Sequence, residues 1–193
     1  MALAGIKRFM MILMMFPLFC QTAGDPAMTS SPEEYEVKAA FIYNIAKFTD
    51  WPNDSLGLSQ DSQIVVGVLG EDPFGSSLDK VLGDKMVRGR TIRIERFKSV
   101  GDIQSCQILF ISRSEASSIS DILSSLGPNA VLTVGDFEEF NRRGGMIRLY
   151  VEQNRVRLAI NIRAVTHADL KISSRLLNLA TIVDVDPLQF NQD

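Results

Sequence analysis

Histidine, cysteine and tryptophan are scarce in this chain of 193 residues: one His, two Cys and one Trp. A structural zinc site needs four nitrogen or sulfur ligands at short spacings, and His167 with Cys20 and Cys106 does not supply them. His167 lies in the polar break Thr166-His-Ala-Asp169 and is read as a surface or capping residue. There is no Gly-x-Ser-x-Gly elbow and no Gly-x-x-x-x-Gly-Lys phosphate loop. Gly67-Val-Leu-Gly70 lacks the third glycine of a dinucleotide loop. Basic excess is missing too: the formal net charge is −3 and falls to −5 once Lys7 and Arg8 are removed with a leader. Phosphate-backbone binding rests on a basic patch, so nucleic acid is excluded as a partner. No apolar run is long enough to cross a bilayer, which takes roughly 20 residues.

The longest such run, Phe9 to Phe19, follows Lys7-Arg8 and precedes the small residues of Gln21-Thr22-Ala23-Gly24. A positive start, a short apolar middle and a small-residue end make a secretory signal. Residues 1–24 are therefore expected to be a cleaved leader, with export to the periplasm. Cys20 is not a lipidation site, because bulky Phe19 precedes it. The remaining 169 residues suit one domain over 33–184, between a flexible stretch at 25–32 and a polar tail at 185–193. Cys106 is then the lone thiol. It is either a buried small hydrophobe or a link between chains, and its place at the head of Cys106-Gln-Ile-Leu-Phe-Ile111 favours burial.

Ser31-Pro32-Glu33-Glu34 opens a helix with a capping box and Pro at the first position, running to about Thr49 before Trp51-Pro52. One face carries Val37, Ala40, Phe41, Asn44, Ile45 and Phe48; a second carries Tyr35, Ala39, Ile42 and Ala46. A helix apolar on two sides is buried on both or offers one to a partner.

The apolar runs Ile64–Leu69, Gln107–Ile111 and Ala130–Val134, with the alternating Thr91–Phe97, read as strands. Helices are expected at 76–82, 114–126, 136–141, 163–168 and 170–182. Met146–Val151 and Val156–Asn161 form a hairpin across Glu152-Gln-Asn-Arg155. The fold class is α/β: a single layered domain, its central sheet mostly parallel with a C-terminal antiparallel hairpin, flanked by helices.

Carboxylate pairs Glu71-Asp72 and Glu138-Glu139, and the cations Arg142-Arg143, sit at turns and helix ends where they offset backbone dipoles. No catalytic residue, cofactor or metal is expected. Phe41, Tyr43 and Trp51 cluster at one helix end and are the candidate interface, aromatics being favoured at interface centres. Asn44, Asn161 and Arg175 are candidate structural polar groups, with Asp50 as a partner for Arg175.

Four ordered blocks carry a resemblance: VKAAFIYNIAKFTDWP (37–52), CQILFIS (106–112), VLTVGDFEEFNRRGGMI (131–147) and INIRAVTHADLKISSRLLNLA (160–180). Together they resemble the YfiR family of bacterial periplasmic proteins. That resemblance implies a periplasmic repressor holding the sensor domain of an inner-membrane diguanylate cyclase, or a sensor kinase, with control of cyclic di-GMP and biofilm. It also implies an OmpA-type outer-membrane lipoprotein as sequestering partner, and a homodimer. A periplasmic small-ligand binder is the alternative. Members use a disulfide between the Cys of the CQILFIS block and a Cys in the first strand. Here that strand, Ile64–Leu69, has none, so redox control through an intrachain bridge is not expected.

Overall fold

The computed structural model describes residues 31–52, 63–127 and 129–185. The expected leader (1–24), residues 25–30 of the flexible stretch and residues 186–193 of the tail lie outside the described residues. Helix α1 spans Pro32–Phe48, and the Ser31 hydroxyl caps it by accepting the Glu34 N–H at 3.3 Å. The Glu34 carboxylate does not complete the box. It reaches forward one turn to Lys38 Nζ at 2.5 Å.

The remaining elements are, in chain order, β1 (Thr49–Asp50), β2 (Ile64–Leu69), α2 (Ser77–Leu82), β3 (Met86–Val87), β4 (Arg90–Phe97), β5 (Ile108–Ile111), α3 (Ile119–Leu126), β6 (Leu132–Gly135), β7 (Ile147–Glu152), β8 (Arg155–Asn161), α4 (Ile162–His167), β9 (Lys171–Ile172), α5 (Ser174–Leu177) and β10 (Ala180–Val183). Eight strands form one sheet in the order β10-β8-β7-β6-β5-β2-β4-β3. The neighbours from β4 through β2, β5 and β6 to β7 run parallel; β3 and β8 are antiparallel to β4 and β7. This is the expected α/β sheet with its C-terminal hairpin. The two-residue loop Gln153-Asn154 has φ of 49° and 60°, the paired positive values of a type I′ turn, whose twist matches the strands it joins.

Alternation along the strands splits the core into two layers. Ile64, Val66, Val68, Ile108, Phe110, Leu132 and Val134 face α1 and α2. Val65, Leu69, Leu109 and Ile111 face α3 on the opposite side. There Phe140 is fully buried, its ring lying against Gly135 and Gly145. A Cβ built on Gly135 would stand 2.5 Å from the ring. Gly135→Ala is therefore expected to lower stability by about 1–3 kcal/mol through overpacking. An unchanged urea midpoint would show that the ring has room to move.

Three expected helices differ. Residues 170–182 are β9, α5 and β10, not one helix. Ser173 caps the short α5, and the β-branched run Thr181-Ile182-Val183 pairs in parallel with β8, where branched side chains pack well. Residues 113–118 form a 3-10 turn, and α3 begins only at Ile119. After Asp136 the chain makes turns through Gly144, because the Asp136 side chain bonds to α1 instead of capping residues 137–139.

Candidate functional site

Helix α1 buries Lys38, Ala39, Ile42, Ile45 and Ala46. At 100° per residue this stripe leaves Val37, Ala40 and Asn44 on the outer side, and all three are exposed, Val37 by 45%. The helix is thus buried on one side only. Asn44, expected among apolar neighbours, instead faces water, two residues round from buried Ile42. Phe41 and Tyr43 are half-buried, and the Tyr43 hydroxyl donates to the Met86 carbonyl at 3.3 Å. The Met86 side chain is itself 53% exposed, and Lys47 lies 5.4 Å from the Tyr43 ring centre. Trp51 does not join this patch. It is buried in the core, its indole N–H donating to the Gln107 carbonyl at 3.3 Å.

The candidate polar groups separate in the same way. Asn161 is fully buried, and its Oδ1 accepts the N–H groups of Ala164 (3.4 Å) and Val185 (3.3 Å), capping α4 and holding the segment after β10. Arg175 is exposed on α5, while Asp50 pairs with Arg88. Cys106 is buried, with its thiol 2.9 Å from the Ile108 carbonyl, and burial pushes the thiol pKa up to about 12.

The strongest electrostatic feature escaped sequence reasoning. Lys38 is 3% exposed and Asp136 4%, and they meet at 2.7 Å. The Tyr35 hydroxyl donates to the same Asp136 oxygen at 2.8 Å, and the Lys38 ammonium sits 4.4 Å from the Tyr35 ring centre. Burial opposes the charge on Lys38, but Asp136 and then Glu34 outweigh it and hold its pKa above the ordinary value. Two signals pointed here: the Glu34–Lys38 spacing of i,i+4, and the position of 38 between 35 and 42 on the buried stripe.

This network borders a cleft of about 750 Å³ at the carboxyl ends of the parallel strands. Glu71 and Asp72 follow β2, Ser112 to Ser114 follow β5, and Asp136 follows β6. Strand β6 pairs with β7 only at Val134–Ile147 and Gly135–Arg148, so β7 runs on past it and carries Arg148 and Tyr150 along the cleft. Among the described residues, no group of three or more His, Cys, Asp or Glu is placed to hold a metal ion, and no helix is long and apolar enough to cross a membrane.

A family model described as YfiR/HmsC-like matches residues 35–181, from the first turn of α1 into β10. No curated protein matches the chain. Among solved structures, the ABC domain from Streptococcus pneumonia in complex with L-Trp is 12% identical, with a TM-score of 0.46, over 62% of this chain and 55% of that one. The chain thus spans about half of that structure's length, and a likeness so distant carries no argument.

Proposed function

Since this chain belongs to the YfiR/HmsC-like family, we propose that it is a periplasmic regulatory protein that binds and represses the sensor domain of an inner-membrane signalling enzyme, a diguanylate cyclase in the first instance. The family match over 35–181 carries this reading. A positive, apolar and small-residue leader at 1–24 supports export. The working surface in this reading is the outer side of α1. Phe41 and Tyr43 supply aromatic area, and Lys47, Lys85 and Met86 surround them. The stripe continues towards the hairpin, where exposed Val37 and Val151 line a groove of about 460 Å³. Trp51 belongs to the core and not to this surface.

Large aromatics at an interface centre carry much of the binding energy. Phe41→Ala and Tyr43→Ala are expected to weaken capture of the cyclase sensor domain by about tenfold each. Both variants should stay folded at the assay temperature with a modestly lower thermal midpoint, since each ring packs only partly against the core. Deletion of the gene should raise cyclic di-GMP, and the parent chain, but not Phe41→Ala, should restore it. Unchanged cyclic di-GMP on deletion, with no sensor domain recovered in a pull-down, would overturn the reading. A dimer and an outer-membrane lipoprotein that sequesters the repressor complete the proposal, and size-exclusion chromatography with and without a candidate lipoprotein tests both.

A further inference from the structure

The strand-end cleft lies where the sheet reverses its winding. Strand β2 leads through α2, on the α1 side, outward to β4; β5 leads through α3, on the other side, outward to β6 in the opposite direction. Open α/β sheets bind ligands at such a point, outside the carboxyl ends of the strands. The cleft is well formed: the Ser114 hydroxyl accepts the Glu71 N–H at 3.0 Å and ties the two loops together.

Its charges are unevenly spent. Lys38 is committed to Glu34 and Asp136. Asp72 is committed to Arg96 at 2.7 Å and to the Phe74 N–H at 2.8 Å. Arg113 and Arg148 line the same cleft, and among the described residues neither makes an ion pair. The Arg148 guanidinium carbon lies 5.1 Å from the centre of the Tyr150 ring, and its Nε is buried with no hydrogen-bond partner. A buried donor left unmet costs stability, and a planar guanidinium offers parallel N–H groups to a planar oxyanion.

We propose that this cleft is a binding site for a small organic monocarboxylate, held by the Arg148 fork with Arg113 at the mouth. The carboxylate accepts from the terminal nitrogens of Arg148. Glu71, Asp136 and the hydroxyls of Ser112 and Tyr35 surround the rest of the cleft, so a ligand with hydroxyl donors at its other end fits best. The same acids repel a multiply charged phosphate. The site is independent of the repressor reading, because it is defined by the cleft and not by the outer side of α1.

Titration of the purified, isotope-labelled protein with lactate, lactamide and inorganic phosphate tests it through backbone amide spectra. Lactate should shift the amides of Ser112 to Ser114 and Arg148 to Val151 saturably, and its neutral analogue lactamide should not. Arg148→Gln should weaken lactate binding about tenfold or more at an unchanged melting temperature. If that variant unfolds, exposed Arg113→Gln should still weaken binding without affecting the fold. Equal shifts from lactamide, tighter binding of phosphate than of lactate, or no saturable shift from lactate would each overturn the assignment.

Discussion

Lys38→Met should lower the unfolding free energy by about 3–5 kcal/mol, the usual loss when one member of a buried ion pair is removed. The reason is Asp136, whose 4% exposed carboxylate loses its cation and keeps, among the described residues, the Tyr35 hydroxyl as donor. Methionine matches the length of the lysine stem, so little of the loss comes from packing. Urea denaturation reads the effect as a lower midpoint at unchanged slope. Lys38→Met combined with Asp136→Leu should recover most of the stability, because an apolar pair of similar volume carries no buried charge. If the double variant is no better than the single one, the loss is not electrostatic and the network has another role. The pH dependence has a definite sign. The folded-state pKa of Lys38 is raised, so the stabilisation from its charge is complete below the ordinary lysine value of about 10.4 and is lost as pH climbs through the folded value. Lys38→Met should abolish that alkaline loss while leaving the difference from the parent constant through neutral pH.

Much of this arrangement is legible in the sequence where one local rule acts alone. Ser31-Pro32 sets the start of α1, and alternation on either side of Gln153-Asn154 sets the hairpin. The illegible parts depend on partners far along the chain. Lys38 and Asp136 are 98 residues apart, and nothing in either segment announces the other. Asp136 followed by Phe-Glu-Glu has the composition of a capped helix start, and only the bond to α1 removes that use of its side chain. The segment 170–182 has a helical distribution of leucines, yet Ile172 pairs with Thr49 and Ser173 donates its N–H to the Phe48 carbonyl at 2.8 Å. Those contacts to the end of α1 break the helix into β9, α5 and β10. The cleft illustrates the same limit: Arg148 looks like an ordinary outward residue of a hairpin strand until β6 is seen to stop one residue after pairing begins.

Cys106 should impose a second alkaline transition, distinguishable from that of Lys38 by where it starts. Burial raises the thiol pKa from 9.0 to about 12. The unfolded chain loses this proton first, so the stabilisation is complete below pH 9 and declines between about 9 and 12, by about 1.4 kcal/mol for each pH unit. Below the lysine range, the ionisation of Cys106 acts without that of Lys38. Cys106→Ala removes it and adds a cavity cost that does not vary with pH, so the two stability curves should converge as pH rises from 9 to 10. Parallel curves over that interval would mean that the native thiol ionises as freely as an unfolded one. The same burial governs its redox chemistry. The thiolate is the reactive form, and the nearest residue across on β2 is Gly67, where a Cβ would lie 3.0 Å from the sulfur. With no second thiol on that strand and only 6% of the residue exposed, native Cys106 should react with a disulfide reagent only at the rate of unfolding. Rapid stoichiometric labelling of the folded protein, or a covalent dimer under mild oxidation, would place the thiol at the surface and contradict the core in which α3 is packed.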